Sequence, residues 1–177
     1  MTLARFQDWK PTDGWKYVWD NGFVFKDKKM VSLQQRHIVK NLLRAFGATA
    51  YYQNGDMLMP EAQMPTSETK YRIPDLGYFT KAQDAFDTQT TLDFPSQVCS
   101  FLIEIISESD NSYQIEYKIW EYFEAGVQCV WQIFPNLQIV KVYTAPDKVM
   151  ICKGESVASA APVLPDFKVT VSSVFVK

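Results

Sequence analysis

Hydrophobic positions along the 177-residue chain change period several times, and each change marks a predicted element. The opening stretch, 1–14, carries Pro11, Gly14 and mixed polarity and is expected to be an irregular arm. Trp15 to Phe25 (WKYVWDNGFVF) reads as a β-hairpin, since aromatic and β-branched residues flank an Asp-Asn-Gly turn. From Met30 to Phe46 the spacing turns helical. Ile38, Val39, Leu42, Leu43, Ala45 and Phe46 share one broad face, Ser32 and Gln35 make a capping box, and Gly47 ends the run.

Short strands are predicted at Ala48 to Gln53 and Asp56 to Met59, followed by a polar loop, PEAQMPTSETK. Strand character returns in YRIPDLGYF (71–79), and a long connection, 80–96, leads to the most apolar strand, VCSFLIEIIS (98–107). A second helix is predicted from about Asn111 to Ala125, with Asp110 or Ser109 as its cap and Gly126 beyond its end. VQCVWQIF, QIVKVYT and KVMICK form a β meander, and a proline-punctuated tail ends in KVTVSSVF. With no repeat, low-complexity tract or linker, the order predicts one α/β or α+β domain over 1–177, built on one mixed sheet.

Two acids interrupt these apolar strands. Glu104 alternates with Leu102 and Ile106, while Phe101, Ile103 and Ile105 occupy the other face. An unpaired charge there costs several kcal/mol, so the carboxylate requires a cation, a partner or a proton. Asp75 alternates with Ile73 and Phe79, and Pro74 predicts an edge strand or a local distortion before it. Gly77, the nearest neighbour on that face, either leaves open space for an ion or phosphate or marks a bulge. Lys118 lies on the shoulder of the second helix, about 80° from the centre of the face set by Ile115, Ile119, Tyr122 and Phe123. From there its ammonium can pair with Gln114 or Glu121 on its own helix, or reach over the end of the sheet.

Composition narrows the class. Twelve Phe, 9 Tyr and 5 Trp within a 47% apolar chain exclude disorder over most of the length. A net charge of −2 gives no general pull toward nucleic acid, which argues against a DNA-coating protein but not against an acidic metal site with a local basic rim. Cys99, Cys129 and Cys152 sit far apart in apolar stretches and read as buried thiols. The N-terminal stretch has no apolar run of signal-peptide type and no segment is long enough to cross a membrane, so a cytoplasmic location without membrane contact is expected.

RIPDLGYF, FLIEIISESD and YKIWEYFEAGVQCVWQIFP, in that order, resemble the Uma-two family of restriction-endonuclease-like proteins, within the PD-(D/E)XK nuclease superfamily. The resemblance runs from about Trp15, through the helix holding His37, to LPDFKVTVSSVF. It implies a restriction-endonuclease-like fold: a mixed sheet flanked by two main helices, with an N-terminal hairpin. It also implies metal-dependent hydrolysis of nucleic-acid phosphodiesters. Asp75 matches the aspartate of the family's motif, Glu104 its second acid and Lys118 its helical lysine. Asp75, Glu104 and the carbonyl of Ile105 would hold Mg²⁺ or Mn²⁺. Ser107, expected to cap or orient the turn into the second helix, matches a position of the family pattern, and His37 and Gln114 are the other candidate supporting residues.

Three positions depart from the pattern. Ile106 stands where the wider superfamily keeps lysine, Val18 where relatives tend to have glutamate, and Gln114 where they tend to have aspartate. Two readings stay open: a DNA-cleaving homodimer, and a catalytically degenerate member acting as a nucleic-acid-binding or dimeric scaffold. Target choice would fall to loops, with Thr80 to Ser96 the first candidate.

Overall fold

The computed structural model describes residues 1–13, 15–29, 32–89, 96–108 and 110–177. Trp15–Asp20 (β1) and Phe23–Lys29 (β2) form the expected hairpin. Asn21 and Gly22, with φ of 47° and 88°, take the left-handed conformations that such a two-residue turn requires. The arm before it is not wholly irregular, because the Thr2 hydroxyl caps a short helix, Leu3–Asp8 (α1), which buries Phe6. Leu33–Gly47 (α2) opens on the predicted capping box: the Gln35 amide donates to the Ser32 hydroxyl at 3.2 Å, and the Ser32 amide to the Gln35 side chain at 2.7 Å. Met30, where this helix was expected to begin, lies outside the described residues.

The predicted strand at Ala48 to Gln53 is instead a single helical turn, Ala50–Gln53 (α3), because Thr49 caps it by accepting from the Tyr52 amide. Met57–Pro60 (β3) follows as expected. The polar loop after it contains Met64–Ser67 (β4), and the YRIPDLGYF run divides into Lys70–Arg72 (β5) and Leu76–Phe79 (β6). Pro74, which has no amide to donate to a ladder, falls in the gap. The long connection holds a helix, Lys81–Gln89 (α4), while 90–95 lie outside the described residues.

Phe101–Ile105 (β7) is buried at all five positions and leads into Ser112–Glu124 (α5). Asn111, not Asp110, caps α5, accepting from the Tyr113 and Gln114 amides at 2.9 and 3.3 Å; Ser109 lies outside the described residues. The meander is Cys129–Phe134 (β8), Ile139–Ala145 (β9) and Lys148–Lys153 (β10). The tail forms Val157–Ala160 (β11), Leu164–Thr170 (β12) and Val171–Val174 (α6).

The expected single sheet is three among the described strands, since the break at Pro74 sends β5 to the hairpin and β6 to the centre. The central sheet is mixed, in the order β10-β9-β8-β7-β6-β3, with β7 and β8 parallel and the other pairs antiparallel. β2-β1-β5-β4 form a second sheet and β11-β12 a third. The parallel pair needs a crossover, which α5 supplies. One face of β7 (Phe101, Ile103, Ile105) packs in the core with Ile38, Leu42 and Phe46 of α2. On the other face, Leu102 joins Ile119 and Tyr122 of α5. The three cysteines are buried free thiols, and burial pushes those of Cys99 and Cys129 up to about 12. Among the described residues no helix is long and apolar enough to cross a membrane.

Candidate active site

Alternation along β7 sends Glu104 to the α5 face, where it is 2% exposed. The Tyr122 hydroxyl donates to its Oε1 at 2.6 Å, and Nζ of Lys118 lies 3.8 Å from the same oxygen. Lys118 comes from the shoulder of α5, four residues before Tyr122, so one helical turn delivers both groups. Its side chain is only 12% exposed. A short hydrogen bond to the charged form and a nearby ammonium offset the cost of burying the carboxylate.

Asp75 stands just before β6. Leu76 pairs with Ile103 in the antiparallel ladder, and one further step along that register sets Asp75 opposite Glu104. The Ile105 amide donates to Asp75 Oδ2 at 2.7 Å, so the aspartate reaches across to the residue that follows Glu104. The next amide, of Ile106, turns the other way and donates to the Ile133 carbonyl on β8 at 2.8 Å. By strand alternation the carbonyl of Ile105 therefore faces the Asp75 side. The main chain of Asp75 is fixed as well, its carbonyl accepting from Glu61 at 2.9 Å.

The two acids open onto different cavities. Glu104 lines one of about 210 Å³ with Lys118, Gln114, Ile106, Tyr122 and Gln132, and Asp75 lines one of about 470 Å³ with Ile105 and, from α2, Arg36 and Lys40. His37 is half-buried on α2 and lines neither of them. The Ser107 amide donates to Asp110 Oδ2 at 2.7 Å and its carbonyl accepts from Asp110 at 3.1 Å, a closed turn leading into α5. Gln114 is exposed, and Val18, buried on β1, joins it in lining a third cavity.

The open space expected beside Gly77 does not exist. A Cβ there would lie 2.7 Å from that of Ala62 and 3.3 Å from the Cys99 sulfur, so the glycine serves close packing. Glu121 does not pair with Lys118 in the ion pairs described; it accepts a two-pronged contact from Arg72 (2.9 Å each), with Thr66 at 2.6 Å and Lys70 at 3.0 Å. That cluster ties α5 to β4 and β5, and Arg72 precedes Asp75 by three residues. Burial acts to raise the Glu121 pKa, but Arg72, Thr66 and Lys70 outweigh it and hold the carboxyl below its ordinary value.

Sequence reasoning also passed over Tyr122, counted only as core, and Gln132, which pairs with Glu104 across β7 and β8 and is 1% exposed. A polar residue amid VWQIF was the same signal that singled out Glu104. Tyr122 carried no such mark, because an aromatic on an apolar helix face reads as packing.

A mixed central sheet with helices on both faces, and acids placed where an antiparallel strand meets the parallel pair, defines a restriction-endonuclease-like protein. A crystal structure described as "a putative nuclease belonging to DUF820", from Anabaena variabilis ATCC 29413, superposes with a TM-score of 0.81. The match covers 99% of this chain and 97% of that one at 16% identity. The family model for Uma2, described as "Putative restriction endonuclease", matches residues 3–172. The chain belongs to that family. No curated protein matched it.

Proposed function

We propose that the chain is a divalent-metal-dependent nuclease that hydrolyses phosphodiester bonds in DNA. The observation that carries this reading is the hydrogen bond from the Ile105 amide to Asp75, which holds one buried acid against the strand segment bearing the other. The candidate donors, the carboxylates of Asp75 and Glu104 and the carbonyl of Ile105, are all hard oxygens, the kind that suits Mg²⁺ or Mn²⁺. Among the described residues no three His, Cys, Asp or Glu side chains cluster.

Asp75, Glu104 and the Ile105 carbonyl would hold the ion, which when bound supplies an acidified water and positive charge against the phosphate. Tyr122 fixes Glu104 through its Oε1. Lys118, within reach of that carboxylate, would orient the attacking water and stabilise the charge that grows on the phosphoryl oxygens. Water adds to phosphorus, one P–O bond breaks, and the departing oxygen takes a proton. A lysine arriving from α5 would thereby serve in place of one at Ile106. Cutting both strands of a duplex calls for two such sites, and exposed Phe23 and Phe25 on the hairpin support a homodimer. Trp19 and Tyr17 are covered by the arm, through Met1 and Trp9.

A second reading, a degenerate member that binds nucleic acid without cutting it, is favoured by Val18, an apolar residue where relatives tend to have glutamate. One experiment separates the two: cleavage of plasmid and single-stranded substrates, with Mg²⁺ or Mn²⁺, by wild type and Asp75→Ala. The nuclease reading expects cleavage that the substitution abolishes. Activity indifferent to Asp75, or absent with every metal, would sink the nuclease reading, and its absence would favour the second.

A further inference from the structure

We propose that the cavity bounded by Glu104, Lys118 and Gln132 is a phosphate pocket in which the buried carboxamide of Gln132 donates a hydrogen bond to a phosphate oxygen. As a pocket for a phosphate of the substrate strand it rests on the nuclease reading above; as an anion site it stands on the structure.

Gln132 is 1% exposed in the middle of β8, an otherwise apolar strand. Its oxygen accepts from the Tyr143 hydroxyl at 3.3 Å, and among the described residues its amide nitrogen has no hydrogen-bond partner. Buried amide donors left unmade are costly and uncommon in folded proteins. The parallel register places Gln132 beside Glu104, facing α5, and both line the same cavity. At about 210 Å³ that cavity is several times the roughly 30 Å³ share of one water, so it has room for a ligand group.

The surroundings select an anion. Lys118 lines it, as do Asn111, the N-cap of the 13-residue helix α5, and Gln114 of its first turn. A helix N-terminus carries partial positive charge and attracts phosphate oxygens. Two acids, Glu104 and Asp110, line the cavity too, and two lysines, Lys118 and Lys26, stand against their charge, with Glu104 Oε1 also accepting from Tyr122 and Asp110 Oδ2 from the Ser107 amide. The Lys118 ammonium and the Gln132 carboxamide thus line one pocket, and a tetrahedral phosphate offers an acceptor to each.

The test uses the full chain and inorganic phosphate, without metal, and follows the Gln132 side-chain amide in proton–nitrogen correlation spectra. The variants are Tyr143→Phe and the double variant Gln132→Leu with Tyr143→Phe, which removes both partners of the existing hydrogen bond. Phosphate is expected to shift the Gln132 resonance in wild type and in Tyr143→Phe. The double variant should bind phosphate about tenfold to a hundredfold more weakly, the loss expected for one hydrogen bond to a charged acceptor. It should also melt no lower than Tyr143→Phe, whereas a purely structural glutamine would lower the melting point on removal. An unmoved resonance, or a double variant that binds phosphate like wild type, overturns the pocket. Cleavage measured alongside keeps the two proposals apart: phosphate bound through Gln132 by a wild type that cuts nothing supports the pocket and sinks the nuclease reading. A wild type that cuts while phosphate leaves Gln132 unmoved sinks the pocket alone.

Discussion

The hydroxyl of Tyr122 and the ammonium of Lys118, one helical turn apart on α5, converge on the same oxygen of Glu104, at 2.6 and 3.8 Å. The helix thereby fixes the rotamer of a strand carboxylate. Tyr122→Phe keeps the ring and removes the hydrogen bond, and should cost about 2 kcal/mol of stability, as for a bond to a charged group. Under the proposed nuclease reading Tyr122 would act as a positioning residue, and the metal concentration for half-maximal cleavage should rise in Tyr122→Phe. An unchanged metal requirement would confine the hydroxyl to a structural role.

Lys118→Met preserves the aliphatic stem and deletes the charge. Glu104, 3% exposed in its side chain, then loses its nearby cation, and stability should fall by about 3 kcal/mol in urea unfolding. Cleavage should drop about a hundredfold or more in kcat, the loss typical of removing one preorganised charge-stabilising group. Restored cleavage in Lys118→Arg would show that charge alone suffices at this position.

Gly77→Ala tests the close packing at β6, the strand that follows Asp75. The added carbon would meet Ala62 at 2.7 Å, and the backbone must shift because Ala62 has no flexible side chain to move aside. A loss of about 1–3 kcal/mol is expected from overpacking, read as a lower denaturation midpoint. An unchanged midpoint would mean that the space is open after all.

Glu121 sets part of the acid limit of stability. Its folded pKa lies below the ordinary 4.5, because Arg72, Thr66 and Lys70 more than reverse the effect of burial. A depressed folded value contributes stability above the unfolded pKa, and that contribution is lost as pH falls through the folded one. Glu121→Gln should therefore be less stable than wild type at neutral pH, by about 3 kcal/mol for a buried pair, and the gap should close below about pH 4.5. Denaturation midpoints of the two proteins measured from pH 7 to pH 3 check this.

Much of this was legible in the chain because the signals are local. Strand alternation marked Glu104, helical phase put Lys118 on the shoulder, the Asn-Gly pair made the hairpin turn, and Ser32 with Gln35 opened α2. The errors divide into two kinds. Thr2 and Thr49 are helix caps whose signals were present but outweighed by proline, glycine and aromatic neighbours. Strands β4 and β5 are short and polar, and their pairing depends on partners elsewhere in the chain. The contacts that shape the site are likewise non-local: Tyr122 meets Glu104 18 positions away, and Arg72 meets Glu121 49 positions away. A sequence read one window at a time carries no trace of them. Gln132 is the exception, a visible polar interruption of an apolar strand.

The central claim is that Asp75 and Glu104 serve one divalent ion, and Mn²⁺ binding followed by electron paramagnetic resonance tests it most directly. Asp75→Asn retains an oxygen able to accept from the Ile105 amide, so the fold should persist, and Glu104→Gln still accepts from Tyr122. Wild type should bind Mn²⁺ in competition with Mg²⁺, and each substitution should abolish that site; Asp75→Asn should leave the thermal midpoint near that of wild type, whereas Glu104→Gln should lower it without unfolding the protein, since it breaks the buried pair with Lys118. Mn²⁺ binding that survives both substitutions, or that is absent from the wild type, would contradict the claim.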